Sequence, residues 1–132
     1  HDGQQYYVGR YGGGNLRDGA YPAAEHPAVR THPVTGRQAL YVNEGFTTGF
    51  KELKQAESDA LLAFVLQHCA APEFQCRFRW RQNSVAFWDN RCTQHHAIWD
   101  YYPQTRHGYR VTIKGDRPFY AEADVDGRRA VP

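Results

Sequence analysis

The sequence predicts a mostly-β domain with one packed helix. Three observations lead there. Aromatic residues make up 14% of the chain, with nine tyrosines, and aromatics favour strands and line pockets. Several stretches alternate apolar and polar side chains with the period of two that a half-buried strand requires. A single stretch carries a helical stripe, and there is neither a βαβ rhythm nor a repeat of solenoid length.

Composition narrows the function classes. A length of 132 residues suits one domain, and 41% hydrophobic content argues against compositional disorder. A net charge of +2 demands no polyanionic partner. No apolar run approaches the roughly 20 residues of a membrane span, and no secretory signal pattern opens the sequence. Cys69, Cys76 and Cys92 are odd in number and form no CxxC pair. They read as reduced thiols of a cytoplasmic protein, not as a disulfide framework or a zinc ribbon. The sequence begins with His1 and contains no methionine, so it is expected to be the later part of a longer polypeptide.

Residues 1–25 read as an irregular lead-in. "RYGGGNLRDGAYP" is rich in glycine but lacks the Gly-Lys-Ser/Thr ending of a phosphate loop. "VRTHPVTGRQALYVN" reads as a hairpin turning at Val34-Thr35-Gly36-Arg37, with Ala39, Tyr41 and Asn43 alternating with Leu40 and Val42. "KQAESDALLAFVLQHCA" predicts a helix over residues 55–69. Leu61, Val65 and Cys69 fall at i, i+4 and i+8, Leu62 and Leu66 widen the stripe, and Glu57 and Asp59 suit the positive end of the dipole. His68 reads as a helix-terminal residue, and Pro72 stops the helix.

Two strands follow, "QCRFRWRQ" and "SVAFWD", joined by a turn at Gln82-Asn83. In the first, Cys76, Phe78 and Trp80 share one face, and Arg77, Arg79 and Arg81 share the other. That basic face could contact nucleic acid, but it reads better as the solvated side of a strand, and no nucleic-acid partner is expected. The final strand is "RHGYRVTIK", residues 106–114. Arg106 and Arg110 lie on one side with Gly108 between them, their Cα atoms roughly 13 Å apart. Glycine weakens a strand interior and often marks a close ligand approach.

Several segments, in order, carry a resemblance to a known family: "RTHPVTG", "VNEGFTT", "WDNR", "TQH" and the arginines 11 and 15 residues after His95. Together they closely resemble the C-terminal part of the taurine dioxygenase family, Fe(II)- and 2-oxoglutarate-dependent oxygenases with a double-stranded β-helix (jelly roll). The resemblance runs from near His26 to near Tyr120. It implies that residues 1–132 form the C-terminal part of a single oxygenase domain. It also implies Fe(II) as cofactor, 2-oxoglutarate as co-substrate, O2, and a small anionic substrate. By residue-by-residue correspondence, His95 is the family's second metal-binding histidine and Arg106 holds the distal carboxylate of 2-oxoglutarate. Arg110 holds the anionic head of the substrate, and Phe46 lines the substrate pocket. An arginine suits such a clamp because its planar fork grips a carboxylate with two hydrogen bonds and keeps its charge. If the segment is extended, His96 points away from the face that His95 occupies.

The departure lies in the rest of the metal site. The family's first histidine and its carboxylate form a His-x-Asp motif, and no histidine here is followed two positions later by Asp or Glu. The expected partner is therefore an N-terminal half of the same protein that carries those ligands. The resemblance implies hydroxylation of taurine or another alkanesulfonate, releasing sulfite and an aldehyde, with succinate and CO2 as co-products. Relatives acting on alkyl sulfates or phenoxyacetates offer alternatives. So does a non-catalytic jelly-roll domain that binds small anions or a partner. The sequence is silent on whether the protein forms a homo-oligomer.

Overall fold

A short antiparallel sheet, a hairpin and one helix meet around a small core. In this computed structural model the backbone is described for residues 6–9 and the whole residue for 24–122. The strands are β1 Tyr6–Gly9, β2 Ala24–Pro27, β3 Val29–Thr31, β4 Gln38–Leu40 and β5 Thr47–Phe50. Helix α1 spans Gln55–Cys69, and a 3-10 turn follows at Pro72–Phe74. Strands β2, β1 and β5 form one antiparallel sheet in that order, and β3 pairs with β4 in a second. Residues 1–25 were expected to be irregular. Strand β1 corrects this, since Tyr6–Gly9 pairs with Pro27–Ala24. Four residues of "YYVG" are too few to display a period. The glycine-rich stretch 10–22 lies outside the described residues.

The hairpin turns where its residues require it. Gly36 has φ 65°, the left-handed region that suits glycine. Its N–H donates to His32 O at 2.9 Å, and His32 N–H donates to Arg37 O at 2.8 Å. The expected alternation fails at the far end. Leu40 is 38% exposed and Val42 1%, although a continuous strand would place them on one face. Strand β4 ends at Leu40, and after a last bond from Tyr41 N to Ala28 O the chain turns inward.

Ala28, Val42 and Phe50 form the core, and α1 packs Leu61, Leu62, Val65, Leu66 and Cys69 against it. Burying side chains such as Val42 and Phe50 stabilises the fold by about 1.5–3 kcal/mol each. The helix occupies the residues its stripe predicts. Glu57 closes its first turn by accepting from Lys54 N at 3.2 Å, and Ser58 Oγ accepts from Phe50 N at 2.8 Å, which ties the helix to β5. The ring of His68, in the last turn, lies edge-on to Phe74 at 5.0 Å.

Residues 116–121 return to the hairpin. Thr31 N donates to Phe119 O at 2.8 Å, Ala121 N donates to Thr31 Oγ1 at 2.9 Å, and Gln38 Nε2 donates to Ala121 O at 2.9 Å. Arg30, 3% exposed, pairs with Asp116 at 2.8 Å and lies over the Tyr41 ring at 5.0 Å.

The three later strands need correction. Residues 75–82, 84–89 and 106–114 were expected to be strands, but among the described residues none of them enters a ladder. The turn between the first two is present, with Asn83 at φ 64° and Ser84 N bonded to Arg81 O at 3.0 Å. The period of two also survives in part. Val85 and Phe87 are 88% and 89% exposed, while Ser84, Ala86 and Trp88 are half-buried. Tyr109, Val111 and Ile113, expected on an apolar face, are 79% exposed or more. Alternation encodes a face, whereas a strand also requires a neighbour to accept its backbone hydrogen bonds.

Candidate functional site

The loop from Trp88 to His95 is fastened at two points. At its start the Asp89 carboxylate gathers four donor atoms. Arg91 grips it through Nε at 2.8 and 3.0 Å and through a terminal nitrogen at 2.6 Å, and Arg91 N–H adds a bond of 2.8 Å. His32 Nε2 approaches the same carboxylate at 3.1 Å. The Arg91 side chain first, then its backbone N–H, then His32, hold the Asp89 carboxyl far below the usual carboxylate range. The loop tightens further because Cys92 N and Thr93 N both donate to Asp89 O, at 3.2 and 3.0 Å.

His32, Asp89 and Cys92 bring their ligand atoms within 4.8 Å of one another, but the cluster is poorly suited to a metal. His32 Nδ1 accepts from Val34 N and Thr35 N, both at 3.2 Å. The ring proton therefore sits on Nε2 and is donated to Asp89. Both nitrogens are committed, and Arg91 occupies the carboxylate.

At its end the loop is held by Gln94. Gln94 Nε2 donates to Val42 O in a short bond, and Gln94 Oε1 accepts from Asn43 Nδ2 at 3.4 Å. Asn43 organises the next turn. Its N–H donates to Thr47 Oγ1 at 2.8 Å, its Oδ1 accepts from Gly45 N at 2.8 Å, and its carbonyl accepts from Phe46 N and Thr47 N at 3.2 and 2.8 Å. That turn presents Phe46, which is 38% exposed.

The residues expected at the site are thus partly assembled. His95 follows the clamp directly, and its ring packs against Trp88 at 5.0 Å and a 45° tilt. Neither of its ring nitrogens makes a hydrogen bond among the described residues, so it is free to ligate in a way that His32 is not. Through Gln94, the structure joins the loop of His95 to the turn of Phe46. Arg106 and Arg110 stay apart from that unit. Arg106 lies over the Tyr101 ring at 5.9 Å, and both arginines are exposed. A methyl group at Gly108 would meet no atom within 4 Å, so the space beside it is open.

The donor chemistry fits one coordination position of an iron centre. His95 supplies an imidazole, and among the described residues no pair of His, Cys, Asp or Glu groups converges on it. The other ligands are not in this arrangement. Gln94 and Asn43 were not singled out from the sequence as functional, although they stand inside the "TQH" and "VNEGFTT" motifs.

Comparison with known proteins places the chain. The alpha-ketoglutarate-dependent sulfonate dioxygenase of Saccharomyces cerevisiae is 42% identical over 95 residues, 70% of this chain and 23% of its own length. The alpha-ketoglutarate-dependent sulfate ester dioxygenase of Pseudomonas putida is 41% identical over 104 residues, 79% of this chain and 33% of its own length. The chain thus spans between about a quarter and a third of these curated relatives. The crystal structure of a taurine dioxygenase from Burkholderia xenovorans superposes with a TM-score of 0.66 at 35% identity, over 97% of this chain and 42% of that one. Residues 4–112 match a family pattern, and on that match the chain belongs to the taurine catabolism dioxygenase TauD, TfdA family.

Proposed function

We propose that this chain forms the ligand-clamping part of an Fe(II)- and 2-oxoglutarate-dependent dioxygenase that hydroxylates a small anion. The substrate class is an alkanesulfonate, taurine in the first instance, with a sulfate ester as the alternative. The observation that carries the reading is the Gln94 link, which fastens the loop of His95 to the turn of Phe46. Metal ligand and pocket wall then belong to one hydrogen-bonded unit. The sulfonate and sulfate ester dioxygenases among the relatives support the anionic substrate.

In this reading His95 gives one imidazole to the metal, and Arg106 and Arg110 grip the carboxylate of 2-oxoglutarate and the head of the substrate. Iron with 2-oxoglutarate supplies activation of O2, with succinate and CO2 as co-products. The remaining metal ligands come from outside these 132 residues. The unpaired alternating segments 75–89 and 106–114 complete a jelly roll against the same outside sequence. Their exposed apolar side chains, Phe78, Trp80, Val85, Phe87, Tyr109 and Val111, would be covered there.

The test is an assay of the full-length polypeptide with Fe(II), 2-oxoglutarate and, separately, taurine, a medium-chain alkyl sulfate and phenoxyacetate. Succinate formation that depends on the sulfonate or the sulfate ester is expected, with sulfite released from taurine. A protein that binds no Fe(II) and forms no succinate with any of them would instead be the non-catalytic anion-binding domain.

A further inference from the structure

We infer that Gln94 is a positioning residue that couples the metal site at His95 to the turn carrying Phe46, so that occupation of one stiffens the other. The inference rests on the assignment of His95 as a metal ligand. The geometry makes the coupling two-sided. Gln94 uses both ends of its amide, donating to the carbonyl of the buried Val42 and accepting from Asn43 Nδ2. The opposite amide orientation would set oxygen against the Val42 carbonyl and nitrogen against the Asn43 amide nitrogen, so the partners fix which way it points. Asn43 then holds the turn through four further bonds, to Thr47 Oγ1, Gly45 N, Phe46 N and Thr47 N. On the other side only one peptide separates Gln94 from His95.

The far end of the same loop is tied to the hairpin through Asp89, whose carboxylate meets His32 Nε2 at 3.1 Å. Rotation of the loop toward or away from the pocket is therefore left to its Gln94 end. A ligand that fixes His95 restricts the backbone of Gln94, and the clamp passes that restriction to residues 43–47. By reciprocity, whatever orders the Phe46 turn favours metal binding to the same degree.

The experiment uses the full-length polypeptide and Fe(II) alone, added without oxygen. Hydrogen exchange is followed at the amides of Phe46 and Thr47, which donate to Asn43 O. Fe(II) is expected to slow their exchange about fivefold to tenfold in the unmodified protein, the worth of roughly one hydrogen bond. In Gln94→Leu the Fe(II) dissociation constant rises by about tenfold to a hundredfold, as for other residues that orient a metal ligand, and Fe(II) no longer slows Phe46 and Thr47. Gln94→Glu has the same shape and keeps the Asn43 link but loses the donor to Val42, so it should fall between the two. It also serves if the leucine variant does not fold. Unchanged Fe(II) affinity in both variants, or equal slowing of Phe46 and Thr47 in both, overturns the coupling while leaving the metal assignment intact. Full Fe(II) binding in His95→Ala overturns the metal assignment and the coupling with it.

Discussion

Gly49 meets Ser58 so closely that a methyl group on its Cα would lie 2.7 Å from the serine oxygen. That oxygen is already engaged, since Ser58 Oγ accepts from Phe50 N at 2.8 Å in a buried site. Gly49→Ala is therefore expected to destabilise the full-length protein by about 1–3 kcal/mol, because the new methyl must displace an oxygen held in a hydrogen bond. Ser58→Ala should cost a similar amount, about 1–3 kcal/mol, by leaving the Phe50 N–H buried and unpaired. The double variant should cost less than the sum, since removal of the oxygen makes room for the methyl. Denaturant unfolding of the four proteins checks this, and strict additivity would refute the close approach.

Asp89 should govern part of the response to acid. Arg91 and His32 hold its carboxyl far below the ordinary range in the folded protein, whereas in the unfolded chain it titrates near its usual value of 3.8. A depressed carboxylate contributes stability that is present above that value and is lost as pH falls below it. Asp89→Asn is expected to lower stability at neutral pH and to flatten its fall in acid. Thermal unfolding from pH 7 down to pH 3 measures both effects.

His26 should act in a higher window. Burial first, then the charges of Arg117 and Arg30, push its pKa below the model-compound value of 6.5. Between the folded and unfolded values the unfolded chain binds more protons, so stability rises with pH there and is lost as pH falls through 6.5. His26→Gln should remove that slope between pH 7 and pH 5 and leave the Asp89 transition in place.

If the segment is extended, His95 and His96 point to opposite faces. In the full-length polypeptide His95→Ala should abolish Fe(II) binding and the visible absorption that 2-oxoglutarate gives when it joins the metal. His96→Ala should retain both. The reverse result would shift the assignment by one residue.

Arg106→Ala should raise the 2-oxoglutarate concentration needed for half-saturation roughly tenfold to a hundredfold, as expected when a charge-assisted hydrogen-bonded contact is removed. Saturation by the anionic substrate should change far less. Equal effects on both would mean that Arg106 supports the whole pocket and not one carboxylate.

What the sequence disclosed about the fold follows the range of each signal. Helix α1 was readable because Leu61, Val65 and Cys69 repeat within a few turns, and the hairpin because Gly36 marks its own turn. The strand-like segments around Phe78, Val85 and Val111 displayed a period, but a period says nothing of where the neighbouring strand lies. Strand β1 was hidden because four residues carry no pattern. At the candidate site, the expected side chains His95 and Phe46 stand within sequence motifs. The Gln94 clamp was not legible there, since its partners Val42 and Asn43 are 52 and 51 residues away and no local spacing announces them.

The stitching of residues 116–121 to the hairpin sets a timetable for synthesis. The Thr31 N–H and hydroxyl and the Arg30 guanidinium find these partners only when Phe119, Ala121 and Asp116, some 86 to 90 residues later, are available. At about 5–20 residues per second, translation leaves that strand waiting for roughly 4–18 s. During this interval the guanidinium of Arg30 keeps its water and the threonine its open backbone N–H. An open strand edge of this kind invites pairing with another nascent chain, and the hairpin is sealed only after the loop of His95 has itself been made.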